Sequence, residues 1–584
     1  MVRQGLLPTF ALRMLTVLLV WLITAFVTTT LGVAAFRIAR RCGIAGADHL
    51  PAPEWLSLVG LALITALLQI WSLVAAIDGW AQTAVGLGAV ALLGLHWRPV
   101  LALWRAQWPT RWDVPAKAGS FLLLLLLGWL LMFGAQLPIN YDVGLYQLQT
   151  LQWTERYPAV PGLGNLHGRL AFNSGLYLPM ALLRLHTPHG PAYGLSSYLY
   201  PLLAVVVVRA LVTAMRNPEA DARRVWVPLL LFLLLMFNFQ VWLSSVTADC
   251  TTAALLALTL LWYSLHPPAK ATEAQRLLLL LLAALAVSFK LSALPILLLP
   301  LYATWVHRAE DRWPRTWLLP LGLGLLLGLP WLARNVVLSG YLIYPLPFVD
   351  VFDVDWKLPY EYARMEHSMV VNLARNSAQS PYALPRQTLW EWLPNWWAPL
   401  RGFWGVMVIL ALGSPLVAAW RWRHPRTPDE EGWAGAWLVA WLGCIFWFVA
   451  GPDFRFGAGF IISAAVWPWA GPRWLGPAQR GAIAYLPWAL FTIWVMHNLR
   501  DHLYFVRTQP MRFAQRIVLP ELPPVPATVQ LPIAPGLQVR VPRTGHQCWG
   551  AELPCVHCVE EGLELRGATL AEGFRRRYPA PAGK

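Results

Sequence analysis

Ala118-Gly-Ser-Phe-Leu-Leu-Leu-Leu-Leu-Leu-Gly-Trp-Leu-Leu-Met-Phe-Gly-Ala-Gln-Leu137 runs for twenty residues without a charge and then breaks at Pro138-Ile-Asn-Tyr-Asp142. As an α-helix it would rise about 30 Å, the thickness of a bilayer's hydrocarbon core. Such a stretch reads as a membrane span, and the whole chain agrees with it. Of 584 residues, 57% are hydrophobic and only 13% are charged, about half the roughly 25% of an ordinary soluble domain. Mean hydropathy is +0.50. This composition excludes a soluble enzyme, a disordered chain and a collagen-like chain, and it predicts a polytopic membrane protein.

Working outward from 118–137, similar apolar runs fall at 11–36, 55–77, 80–96, 193–213, 225–244, 250–265, 277–290, 291–306, 317–337, 402–420, 433–450, 457–471 and 481–497. The expectation is an all-α protein of about 12–14 transmembrane helices. The pair at 277–306 is interrupted around Lys290. The stretch 170–185 is apolar but carries Asn173, Pro179 and Arg184, and it reads as interfacial or re-entrant. The first run is too long for a secretory signal and lacks a small-x-small cleavage site, so it reads as a retained span.

Orientation follows from Arg and Lys in the short loops. Arg37, Arg40, Arg41, Arg98, Arg105, Arg111, Lys117, Arg216, Arg223, Arg224, Lys270, Arg276, Arg308, Arg312, Arg315, Arg421, Arg423, Arg426, Arg473 and Arg480 fall in alternate loops. The opposite short loops hold only Arg455. The basic loops are therefore expected in the cytoplasm, with both termini outside the cytoplasmic membrane. The net charge of +16 is assigned to these loops rather than to nucleic acid. Three long segments, 138–192, 338–401 and 498–584, then fall outside. The chain divides into N-terminal helices at 1–117, a core at 118–497 and a C-terminal module at 498–584. An elaborated outer face points to extracytoplasmic chemistry or recognition. A phosphate loop of the Walker type is missing, and Gly322-Leu-Gly324 sits inside a span, where glycine serves helix packing.

The first outer segment begins with Asn140-Tyr-Asp142-Val-Gly-Leu-Tyr146, continues to Gln149 and Trp153 at helical spacing, and reaches Gly162-Leu-Gly-Asn165-Leu-His167-Gly-Arg169-Leu-Ala-Phe-Asn173. Its polar groups need partners if it lies against a membrane. Asp142 reads either as the N-cap of a helix at 143–155 or as a carboxylate at the mouth of a membrane cavity.

Five stretches together resemble the GT-C class of membrane glycosyltransferases, which includes protein O-mannosyltransferases, the aminoarabinose transferase of lipid A and oligosaccharyltransferase. They are the Asp142 loop, Ser244-Ser-Val-Thr-Ala-Asp249, Phe289-Lys290-Leu-Ser-Ala-Leu-Pro295, Pro330-Trp-Leu-Ala-Arg334-Asn335 and Gly451-Pro-Asp453-Phe-Arg455-Phe456. The likeness covers about residues 118–470 and looks closest to a bacterial GT-C-like branch. The chain departs from the commonest pattern by placing three spans before the helix that leads into the acidic loop, and by a single Asp there.

The resemblance implies an inverting transferase. Its sugar donor would ride on polyprenyl phosphate in the membrane, and its acceptor would be a glycan, lipid or protein on the outer face. A phosphate leaving group is stable as an anion, so one base and some positive charge suffice, without the general acid that a glycosidase needs. Asp142 is the candidate base. Lys290, Arg455, Arg334, His167, Arg169 and Tyr146 are the candidates for donor phosphate or substrate. Asp249 and Asp453 form a candidate second acidic site. Each has a plainer reading: a snorkelling lysine for Lys290, an ion pair with Asp453 for Arg455, a loop clamp for His167 and Arg169, and a helix cap for Asp249, with Thr247 as its competitor. Asp142 with Asp249 is too small a ligand set to predict a divalent cation, and the metal stays open. The Trp390–Trp397 cluster stacks on a sugar or anchors at the membrane surface.

In the C-terminal module, Pro520 to Pro542 suggests a small β or extended unit. Cys548, Cys555 and Cys558 lie beside His546 and His557. Their spacing is not that of a standard zinc finger, and an oxidising compartment favours a Cys548–Cys555 disulfide. The alternatives to a transferase are a lipid-linked polysaccharide polymerase or ligase, a lipid or glycan transporter, and a non-catalytic envelope scaffold.

Overall fold

The leucine run folds as the helix Val114–Gly134. Pro115 stands in its first turn, where its missing N–H is harmless, and the Asp113 side chain accepts from the Ala116 amide at 2.9 Å. Similar logic sets three other helix starts. Asp78 caps Gly79–Arg105, Thr272 and Gln275 form a capping box at Glu273–Phe289, and Thr247 caps Ala248–Leu265.

The computed structural model describes residues 6–107, 111–187, 190–217, 221–308, 315–375, 388–400, 402–421, 428–469 and 525–577, with Ile493, Trp494 and Asn498 besides. Among the described residues, ten helices are long and apolar enough to cross a membrane, which makes the chain a multi-pass membrane protein. Two shorter apolar helices, Leu291–Val306 and Phe454–Val466, lie where further spans are expected. The expected span at 481–497 falls almost wholly outside the described residues. The stretch 170–185 does not cross. It forms a 3-10 turn at Gly168–Ala171, the six-residue helix Tyr177–Leu182 and the start of a hairpin pairing Leu185–Thr187 with Gly190–Ala192.

Ala248–Leu265 is the central helix: 89% of its most apolar window is buried. Leu6–Arg41 and Pro53–Val74 approach closely because two glycines allow it. A Cβ on Gly60 would lie 1.8 Å from the Thr28 carbonyl oxygen, and one on Gly32 would lie 2.1 Å from that of Leu56. A hydroxyl chain, Thr28–Ser57–Tyr198 with both links 2.7 Å, then ties three helices together, the kind of polar contact that joins helices where apolar burial gives no preference. At the periphery, Trp317–Ser339 turns Leu318, Leu321, Leu325 and Leu329 outward, as lipid-facing residues would be.

The ends of the bundle differ. Basic loops pack against one another at one end: Arg216 pairs with Asp113 at 2.9 Å, Lys270 with Asp429 at 3.1 Å, and the Ala45 amide donates to Glu273 at 3.2 Å. At the other end of these helices the chain builds a second apolar core. Tyr146, Trp153, Leu166 and Leu170 from the first long segment meet Tyr341, Tyr344 and Leu358 from the second, and Val539, Leu563 and Phe574 from the C-terminal module. The module itself has two antiparallel pairs, Thr528–Ala534 with Leu537–Pro542 and Leu563–Leu565 with Phe574–Arg576. A disulfide joins Cys548 to Cys555.

Candidate functional site

Asp142 follows Pro138 at the end of its span and does not cap the next helix. Its side chain makes no cap hydrogen bond, and the chain enters a π-turn at Val143–Gln147 before the α-helix Leu148–Arg156. The expected α-helix over 143–155 is thus wound one residue wider in its first turn, a deviation common at functional sites. The freed carboxylate faces two guanidinium groups. Arg169 Nη1 lies 3.1 Å from Oδ1 and Arg455 Nη1 lies 3.4 Å from Oδ2. The Asp142 side chain keeps 18% of its surface exposed, so it is not sealed.

Arg455 also donates through Nε to Asp453 Oδ2 at 2.9 Å, and Asp453 caps Phe454–Val466 by accepting from the Arg455 amide. Asp453 therefore does two structural jobs, and Arg455 bridges it to Asp142. The turn carrying them rests on tryptophan. Trp396 Nε1 donates to the Pro452 carbonyl at 2.7 Å, and its ring stacks on Phe454. Trp392 and Trp396 are buried, whereas Trp390 is exposed. The expected sugar platform or surface anchor is thus in part a support for this turn.

Lys290 sits in the break between Glu273–Phe289 and the 3-10 turn Leu291–Leu297, with an extended backbone. A helix ending inside a bundle leaves carbonyls without partners. Here the Ser174 hydroxyl donates to the Phe289 carbonyl and the Gly175 amide to that of Ser288, both at 2.7 Å. The Lys290 ammonium bonds Asp249 and lies 3.9 Å from the centre of the Phe456 ring. It is paired rather than snorkelling. Because Thr247 takes the cap, Asp249 is left for Lys290, and the Asp249 side chain is only 8% exposed. Arg455 also lies over Phe456, at 5.2 Å, so one aromatic ring touches both cations. Three carboxylates and three cations thus gather at one end of the bundle, and their formal charges balance.

His167–Gly175 acts as the hub. His167 Nδ1 accepts from the Arg169 amide at 3.2 Å, which leaves the ring proton on Nε2, donating to His557 Nδ1 at 3.1 Å. Burial first, then the neighbouring His557 and Arg169, push the His167 pKa down to about 3. This neutral, buried ring is a clamp to the C-terminal module. Arg169 lies 5.8 Å over the Tyr146 ring. Burial, then the nearby Asp142 carboxylate, push the Tyr146 hydroxyl above its ordinary range. Asn173 accepts from Arg334 at 3.3 Å and donates to the Trp331 carbonyl at 2.9 Å. Arg334 is buried there, with no ion pair to a carboxylate among the described residues and with its Nε unbonded.

Sequence reasoning missed Glu366. It is 4% exposed, and its Oε2 has no hydrogen-bond partner. It packs where a Gly168 Cβ would stand, and desolvation raises its pKa. Its only signal in the sequence is an acid in the middle of the amphipathic helix Tyr360–Ala374, beyond Glu361 in the first turn.

The set does not suit a divalent cation. Asp142, Asp249 and Asp453 each face a cationic side chain, and among the described residues no group of three or more His, Cys, Asp or Glu is placed to hold a metal.

A search of curated proteins finds no match. Among solved structures, the chain is similar to a crystal structure of ArnT from Cupriavidus metallidurans bound to undecaprenyl phosphate, with 16% identity and a TM-score of 0.32. That alignment covers 64% of this chain and 59% of that one. A family model described as a domain of unknown function, DUF8201, matches residues 14–462, and the chain belongs to that family.

Proposed function

We propose that the protein is an integral membrane glycosyltransferase of GT-C type, moving a sugar from a polyprenyl-phosphate donor to an acceptor hydroxyl on the extracytoplasmic face. The observation that carries this reading is the Asp142 carboxylate, partly exposed between Arg169 and Arg455, with Lys290 nearby across the Phe456 ring. It is a base with cations at hand, which is what expelling a phosphate requires. The donor class comes from the motif resemblance.

In this reading Asp142 takes the acceptor's hydroxyl proton. The acceptor oxygen bonds the anomeric carbon, and the bond to phosphate oxygen breaks with its electron pair. Polyprenyl phosphate leaves, stabilised by Arg455 and Lys290. At rest each cation is held by a carboxylate, so a donor phosphate competes for them. As it draws Arg455 away, Asp142 is left with Arg169 alone and one carboxylate oxygen is freed to meet the acceptor hydroxyl. Binding thereby prepares the base, without a further conformational device. Asp249 and Asp453 hold the cations in place until the donor arrives. Arg334 and His167 act at a distance, by fixing the hub.

The test is incubation of the purified protein with labelled polyprenyl-phosphate sugars and membrane extracts. Transfer of label to an acceptor supports the reading. Movement of labelled lipid across a vesicle, with no new glycosidic bond, would favour a transporter instead.

A further inference from the structure

The C-terminal module lies beyond the residues that the family model matches, yet it reaches the site from two sides. Gln547 Nε2 donates to the Tyr141 carbonyl at 2.8 Å, one residue before Asp142. The Trp549 amide donates to the Gly144 carbonyl at 2.9 Å, two residues after it. Gln149 answers from the helix, donating to the carbonyls of Trp549 at 3.2 Å and Ala551 at 2.8 Å. On the far side His557 holds His167, whose ring takes the Arg169 amide. Both partners of the Asp142–Arg169 ion pair are thus gripped by one short stretch, 547–557.

Local geometry fits a clamp. In the π-turn the Leu148 amide bonds Val143, one residue further back than an α-helix would take it. The Gly144 carbonyl in the same turn receives the Trp549 amide. The indole covers Gly144 so closely that a Cβ there would lie 2.5 Å from it. Trp549 itself has φ of +45°, a left-handed conformation that costs an L residue and persists only where its surroundings enforce it. The Cys548–Cys555 disulfide closes the loop that enforces it.

We infer that Trp549, on the disulfide-closed loop of the C-terminal module, is a positioning residue that fixes Asp142 by locking the π-turn at Gly144, so that turnover depends on the oxidised Cys548–Cys555 loop. The inference rests on the transferase reading for its kinetic consequence, but the clamp itself is observable without activity.

The experiment uses the full chain in lipid nanodiscs, with Trp549→Ala, Gly144→Ala, their double variant, and Cys548→Ser/Cys555→Ser. Hydrogen exchange of the 141–149 amides is measured alongside transfer. Loosening a base by about an ångström lowers kcat by about tenfold to a hundredfold, while the donor KM stays within about twofold, because Trp549 bonds Gly144 and Gln149 rather than the cations assigned to the phosphate. Gly144→Ala favours helix and keeps the fold, yet it drives its methyl into the indole. The double variant is therefore no worse than Trp549→Ala alone, since both act through one contact. Exchange at 141–149 quickens in Trp549→Ala and in the serine pair. Wild-type exchange in these two variants would overturn the clamp. So would kinetic losses in the double variant equal to the product of the single losses. If the wild type transfers no sugar but exchange quickens as stated, the clamp stands and the transferase reading falls.

Discussion

Replacing Lys290 with Met separates two roles that the structure superimposes on one ammonium. Lys290 bonds Asp249, whose side chain is only 8% exposed. Removing one partner of a buried pair leaves the other charged and unsatisfied, at a cost of about 3–5 kcal/mol. Unfolding entropy scales as about 2.1 cal/mol/K per residue. Over 584 residues that amounts to roughly 1.2 kcal/mol/K, so the loss lowers the unfolding midpoint by about 2.5–4 °C. Asp249→Asn in the same chain removes the stranded charge, and the double variant should regain most of that midpoint. Transfer behaves differently. If Lys290 holds the departing phosphate, the double variant remains deficient in donor use even though it is stable again. The assay pairs a scanning-fluorimetry midpoint in nanodiscs with initial rates across donor concentration, for the wild type, both single variants and the double. A double variant that recovers both stability and donor dependence would show Lys290 to be structural only, and would remove it from the mechanism.

Two further outcomes concern pH. His167 has its pKa pushed down to about 3 by burial, against roughly 6.5 in an unfolded chain. The stability it contributes is present above roughly 6.5 and is lost as pH falls, by up to about 1.4 kcal/mol per pH unit. His167→Gln flattens that acid slope in a chemical-denaturation series; an unchanged slope contradicts a buried neutral ring. Glu366 shifts the other way, its pKa raised by desolvation, against the lowering pull of Arg169. Its folded form is favoured at low pH and penalised as pH rises through its folded value. Glu366→Gln should therefore stabilise the protein by about 1–3 kcal/mol at pH 8 and hardly at all at pH 4. A destabilised glutamine variant at pH 8 would mean that the carboxylate has an anionic role.

Much of this was legible in the sequence because the bilayer simplifies the problem. A run such as Phe121–Phe133 has few folds open to it in lipid, and the Arg and Lys spacing orders the loops. Asp142, Asp249, Lys290, Asp453 and Arg455 could be singled out because a charge near a membrane is costly and needs a reason. Their partners could not be read. Asp142 meets Arg455 across 313 residues and His167 meets His557 across 390, and one sequence carries no trace of such contacts. The π-turn was missed because helical spacing at Tyr146, Gln149 and Trp153 does not distinguish it from an α-helix. Glu366 was missed because its burial comes from the Gly168 loop folding over it, not from its own helix. Arg334 was grouped with the phosphate candidates for its position at a helix end; its contact with Asn173, 161 residues away, could not be read from one sequence.

The most direct test of the account is single-turnover transfer from a labelled polyprenyl-phosphate sugar, with wild type and Asp142→Asn compared at saturating donor. Asparagine keeps the size and the hydrogen-bond acceptor but takes no proton. The account predicts a loss of about 100-fold or more in the chemical step, with donor binding no weaker than wild type, because the phosphate no longer competes with Asp142 for Arg455. Transfer by Asp142→Asn at near the wild-type rate would contradict it.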